Sequence, residues 1–119
     1  MKPIKEDSKE IDGTRIFISI FKVHKGYLLL LSDNEEMGIG SVTLGTPPTI
    51  EGLKSVVASH ELFGMHKKFL SKIVAQKATQ LLKQPVLVLL FITSKEKEEE
   101  LAKPIVGFLD EVLHDINAK

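Results

Sequence analysis

Two short apolar runs, Tyr27 to Leu31 and Val86 to Ile92, constrain this chain more than any other feature. No residue in either run is charged or strongly polar, so both faces of each segment require covering whichever way the side chains alternate. A bilayer span needs about 20 apolar residues, and both runs are far shorter. They read as buried strands. With 119 residues, 43% of them hydrophobic, the chain has the size of one domain and enough apolar material to build a core around such strands.

The segments around the first run follow the same logic. Thr14 to Val23 is rich in β-branched and aromatic residues, with Ile16, Ile18 and Ile20 on one face and Phe17, Phe21 and Val23 on the other. His24-Lys25-Gly26 supplies a short turn into the run from Tyr27, which predicts a hairpin. Asp33-Asn34-Glu35-Glu36 is a second turn, and Gly38 to Leu44, carrying Ile39, Val42 and Leu44, is a third, more polar strand. Gly45-Thr46-Pro47-Pro48 starts a loop, because proline cannot donate to a ladder and restricts the residue before it. Leu53 to Ser59 offers a fourth strand.

Helical spacing takes over from His66 to Lys83, where Leu70, Ile73, Val74, Ala78, Leu81 and Leu82 recur on one face and Pro85 ends the segment. After the second apolar run, Thr93-Ser94 is an N-cap for a Lys/Glu-rich stretch whose carboxylates suit a helix N-terminus. Leu101, Ile105, Phe108, Leu109, Val112, Leu113 and Ile116 then give a second amphipathic helix. Pro104 and Gly107 interrupt it, so Pro104 either kinks one helix or opens another. The expected fold is α+β: an antiparallel β-meander or sandwich with two helices, in the order β-β-β-(β)-α-β-α. Residues 1–12, with charges of both signs and no apolar core like that of a signal peptide, read as a flexible tail ahead of one domain at 13–119.

Sixteen basic side chains balance sixteen acidic ones, so no global field draws the chain to nucleic acid or anionic lipid. No cysteine is present, which excludes disulfides, zinc-thiolate sites and a thiol nucleophile, and fits a cytoplasmic setting. His60 and His66 stand six apart with Gly64 between them, whereas the helical zinc motif needs histidines four apart on one face. The glycines of Met37 to Gly45 have neither dinucleotide-fingerprint nor P-loop spacing and lead into a strand; Gly38 and Gly40 fit a bulge or a close backbone approach instead. No serine sits in a nucleophile-elbow context. The expectation is therefore no enzyme activity, no cofactor and no metal. The basic helix lacks an aromatic stripe for base stacking, so nucleic acid is not an expected partner, and neither is a membrane.

Three strands are apolar on both faces, yet two helices cover about one face of such a sheet. The other face needs a second layer, from the sheet folding over itself, from a second copy of the chain, or from both. A dimer is the expected outcome. The helices differ in charge: His66 to Gln84 carries Lys67, Lys68, Lys72, Lys77 and Lys83 and no acid, whereas Lys95 to Lys119 carries seven acids against four lysines.

Laid out in this order, the chain resembles the small proteasome assembly chaperones, the third and fourth members of that set, from about Thr14 to Ile116. The resemblance rests on Gly26-Tyr27-Leu28-Leu29-Leu30-Leu31-Ser32 entering a polar turn and on the Glu36-Met37-Gly38-Ile39-Gly40-Ser41-Val42 strand. It continues in Leu62-Phe63-Gly64 ahead of a helix with Phe69-Leu70-Ser71-Lys72-Ile73-Val74, the buried strand from Val86, and the closing Glu-rich helix. The Pro47-Pro48 loop is closer to the fourth chaperone, and the mixture of features fits a homodimeric relative, for instance an archaeal one. The resemblance implies a cytoplasmic, non-enzymatic α+β chaperone that pairs with itself or a paralogous chaperone and holds proteasome α-subunits while the α-ring assembles. Candidate partner-binding residues are the exposed, chemically variable ones: Asp33, Glu35, Glu36 and Met37 in the turn, Pro47 and Pro48 in the loop, and Lys67, Lys68 and Lys72 on the basic helix. A dimerising scaffold of another complex and a small-molecule regulatory domain are the competing readings.

Overall fold

The computed structural model describes residues 2–36, 38, 40–47, 56–61, 68–93 and 98–117, and for 56–61, 68–69, 98 and 117 the backbone alone. Its strands are β1 (Lys5–Ile11), β2 (Thr14–Val23), β3 (Gly26–Ser32), β4 (Ser41–Thr46), β5 (Val56–Glu61) and β6 (Val86–Phe91); its helices are α1 (Lys68–Leu82) and α2 (Glu98–Asn117). The α+β class with two helices agrees with the sequence reading. All six strands belong to one sheet in the order β1-β2-β3-β6-β4-β5.

The pairing within that sheet departs from a simple meander. The turn after β3 does not return the chain beside it, because β6 takes that place, running parallel to β3 from Tyr27↔Val86 to Ser32↔Phe91. β4 then pairs antiparallel with the far side of β6, from Ser41↔Leu90 to Gly45↔Val86. The physical reason lies in hydrophobicity. The two most apolar segments of the chain become central neighbours, and the more polar β4 is displaced outward. The sheet is mixed, and the described residues form no second sheet folded over it.

Residues 5–11, expected within the tail, form β1 instead. They pair with β2 over seven residues, from Lys5↔Ile20 to Ile11↔Thr14, across the turn Asp12-Gly13. Both turn residues have positive φ, 49° and 81°, the backbone that matches the twist of a two-residue hairpin and that Asp-Gly adopts readily. The Asp-Gly signal favoured a hairpin, but charge at nearly every position of 5–10 masked it. The fourth strand expected at 53–59 is present as β5, Val56–Glu61; residues 53–55 lie outside the described residues. β4 also runs on through Gly45 and Thr46, where a loop was expected, and stops before Pro47.

Period-two alternation places Ile16, Ile18 and Ile20 of β2, Leu29 and Leu31 of β3, and Val86, Val88 and Leu90 of β6 on one face, all at most 1% exposed. Both helices pack on that face. α1 contributes Leu70, Val74, Ala75, Ala78 and Leu82, and α2 contributes Leu101, Ile105, Phe108, Leu109, Val112 and Leu113. α1 lies over β4, β5 and β6, while α2 packs beside α1 and reaches β1. α2 runs unbroken through Pro104, which sits near its start; proline's missing N–H leaves the Glu100 carbonyl without its usual donor but does not end the helix.

The fit of α1 on β4 is set by small residues. Ser41, Thr43 and Gly45 face the helix, all buried, and the Thr43 and Ser71 hydroxyls hydrogen-bond across the contact. A Cβ at Gly45 would stand 2.5 Å from Thr79 Oγ1 and 3.1 Å from the Ala75 carbonyl oxygen. A Cβ at Gly107, on the outer side of α2, would meet nothing within 4 Å. The two glycines therefore predict opposite responses to the same change. Gly45→Ala lowers stability by about 1–3 kcal/mol, through overpacking against helix backbone, and Gly107→Ala raises it by roughly 0.5–1 kcal/mol. Urea unfolding of both variants checks the signs; a tolerated Gly45→Ala would show that the helix does not sit this close.

Candidate functional site: an uncovered apolar sheet face

The register of the central strands assembles a second apolar surface on the face away from the helices. Phe21 pairs with Leu28, Leu28 with Leu87, and Leu87 with Leu44, giving one row across β2, β3, β6 and β4. A second row runs Ser19, Leu30, Leu89, Val42 through the same strands. In a third, Phe17 and Phe91 flank Ser32. No charged side chain interrupts these rows.

Among the described residues no helix or strand lies over this face. Leu44 is 43% and Leu87 37% exposed, and Phe17, Phe21, Leu28, Leu30, Val42, Leu89 and Phe91 are half-buried against one another. Ordinary surfaces expose single apolar residues, whereas a contiguous apolar field across four strands is the kind of surface that contacts use. The apolar pattern on both faces of Tyr27–Leu31 and Val86–Ile92 announced this surplus. The rows themselves were hidden, since they exist only once β6 is placed between β3 and β4.

Two features bound the field. At its β3–β6 end, the residue after β3 closes the sheet: the Asp33 carboxylate accepts hydrogen bonds from the Thr93 backbone N–H at 2.9 and 3.0 Å and from Thr93 Oγ1 at 3.1 Å. The Asp33 N–H donates to the Phe91 carbonyl at 3.2 Å, and Asn34 Nδ2 donates to Asp33 Oδ1 at 2.8 Å. Gly38 lies over the Phe91 ring, with a hypothetical Cβ only 2.7 Å from it, so the close backbone approach expected at this glycine occurs here. At the β1 side, Glu6, Ser8, Phe17, Ser19 and Glu35 line an acidic hollow of about 420 Å³. Among the described residues no group of three or more His, Asp or Glu is placed to hold a metal ion.

The described candidates from the sequence do not converge on one place. Asp33 is turned inward as the strand-end clamp just described. Glu35 and Glu36 are exposed, and Glu35 forms a wall of the hollow. Pro47 is half-buried at the far end of β4, and Lys72 is exposed on α1, across the sheet from the open face. Lys68 is the first residue of α1. Met37, Pro48 and Lys67 lie outside the described residues. Replacing Asp33 by Ala removes its hydrogen bonds to the exposed Thr93 and is expected to cost about 1 kcal/mol, whereas Glu36→Ala and Lys72→Ala stay within roughly 0.5 kcal/mol of the parent. Thermal unfolding ranks them; an Asp33→Ala variant as stable as the other two would remove the clamp from this account.

No protein-family model matches the chain, and no curated protein matches its sequence. Among solved structures, a chain from the crystal structure of a chaperone complex for yeast 20S proteasome assembly is similar in fold. It shares 12% identity and a TM-score of 0.59, with 96% of this chain and 95% of that chain covered. Coverage that complete at so low an identity shows a common fold from end to end.

Proposed function

We propose that this chain is a non-enzymatic assembly chaperone that pairs through its open sheet face and binds proteasome α-subunits while the α-ring of the core particle assembles. The observation that carries the proposal is the uncharged apolar field across β2, β3, β6 and β4, left uncovered by the two helices. An apolar sheet face of this kind is complemented by another sheet face, stacked about 10 Å away with its side chains interdigitating. The occupant of matching chemistry at hand is a second copy of the same chain, in a two-fold arrangement that sets each patch against itself. A paralogous chaperone in the same position would satisfy the same surface.

The client is supported by two likenesses. One is the sequence resemblance to the small proteasome assembly chaperones, and the other is the fold shared with a chain of the yeast 20S proteasome chaperone complex. Glu35, beside the open face, Glu36, exposed in the same turn, and Lys72, on the helix layer, remain the proposed client contacts. Each is a charge at the rim of a potential contact, where substitutions act mainly on the association rate and on salt sensitivity. The cytoplasm, where α-rings would be met, is the proposed location.

Affinity capture of the tagged full chain from its source cell, with the bound proteins identified by mass spectrometry, tests the client. Recovery of proteasome α-subunits without mature β-subunits is the expected result. Repeated recovery of another complex, with no α-subunit, would replace this reading with a scaffold of that complex.

A further inference from the structure

β1 differs from every other strand whose side chains are described: its inward face is charged. Pairing with Ile20, Ile18 and Ile16 puts Lys5, Asp7 and Lys9 on the helix side, and of the seven residues in β1 only Ile11 is buried. Apolar packing therefore contributes little to holding this edge strand. Beyond Ile11, which joins the core at the hairpin end, what ties it to the helix layer is electrostatic. Lys5 Nζ lies 3.1 Å from Asp115 Oδ2 and Lys9 Nζ 3.3 Å from Glu111 Oε1. Glu111 and Asp115 are four apart and so stack on one side of α2, while Lys5 and Lys9 are four apart on one face of the strand. The two pairs thus form a matched double contact between strand and helix.

The opposite face of β1 supplies Glu6 and Ser8 to the hollow beside the apolar field. Arg15 Nη1 donates to Ser8 Oγ at 2.9 Å across the β1–β2 ladder. Beneath β1 runs the outer edge of β2, a ten-residue strand with Ile16, Ile18 and Ile20 on one side and Phe17 and Phe21 on the other. Such an edge, if bare, is a template for pairing with another strand, and charged cover strands are a known means of protecting one.

We propose that β1 is a displaceable wall of the open face, held against α2 by a two-pair ionic latch that rising ionic strength releases. Release frees the helix side of β1 and makes its seven-residue ladder with β2 open more often, and each opening takes Glu6 and Ser8 away from the hollow and bares the β2 edge, while the central strands keep their pairing. Only the description of β1 as a wall of a docking face rests on the function proposed above; the latch stands on the ion pairs and the burial pattern alone.

Hydrogen exchange on the isolated full chain, at concentrations low enough to keep it unpaired, tests the latch separately from any partner. Between about 50 and about 500 mM NaCl, where screening of exposed pairs becomes strong, amides of 5–11 are expected to exchange roughly three- to tenfold faster relative to those of β3 and β6. Lys5→Glu with Lys9→Glu should give the fast exchange already at low salt, and adding Glu111→Lys with Asp115→Lys should restore protection. A ratio that does not change with salt, a fourfold charge swap that fails to restore protection, or equal acceleration of β1, β3 and β6 would overturn the proposal. None of those results would bear on face-to-face pairing.

Discussion

The parallel pairing of β3 with β6 is the contact on which the rest of the molecule depends. It joins the two most apolar segments, Tyr27–Leu31 and Val86–Leu90, side by side at the centre of the sheet. From that placement the other features follow. β4 is pushed to the far side of β6, the β1-β2-β3 and β4-β5 groups become one continuous sheet, and the intervening α1 packs over its second half. Because neighbours in register share a face, the same pairing that gathers Leu29, Leu31, Val88 and Leu90 into the core also aligns Leu28, Leu30, Leu87 and Leu89 outside it. The open face is thus the other side of the core-forming pair.

Much of this was legible in the sequence. The helical period of Leu70 to Leu82 and of Leu101 to Ile116 marks α1 and α2. The shortage of helices relative to two-faced strands points to a missing layer. What the sequence could not convey was topology. Hydrophobic periodicity identifies strands but says nothing about their neighbours, so a polar turn at Asp33-Asn34-Glu35-Glu36 suggested a third meander strand beside β3 when β6 occupies that place. The β1 segment was obscured for a different reason. Lys5, Asp7 and Lys9 violate the apolar-inward rule; Asp7 is exposed, and Lys5 and Lys9 pair with Asp115 and Glu111, more than one hundred residues away in sequence, which no local pattern reveals.

The candidate site divides in the same way. Charged turn residues were sensible candidates for partner contact, yet Asp33 is occupied in joining the ends of β3 and β6. Its carboxylate joins the segments that follow β3 and β6 beside the apolar field. The residues that form the field are ordinary leucines and phenylalanines, individually indistinguishable from core residues. What sets them apart is their place on the face of the sheet opposite the described helices. Electrostatics then acts at the margins: α2 carries carboxylates that face Lys5, Lys9 and Lys77, so part of the contrast between a basic and an acidic helix is spent on holding the layers together.

The central claim is that the apolar rows of the open face are covered by a second sheet. Sedimentation equilibrium of the unmodified chain at low micromolar concentration measures this most directly, alongside a Leu28→Glu, Leu87→Glu variant whose circular dichroism confirms an intact fold. Face-to-face pairing gives twice the chain mass for the parent and a single chain mass for the variant. A parent that sediments as a single chain, or a variant that still pairs, would contradict it.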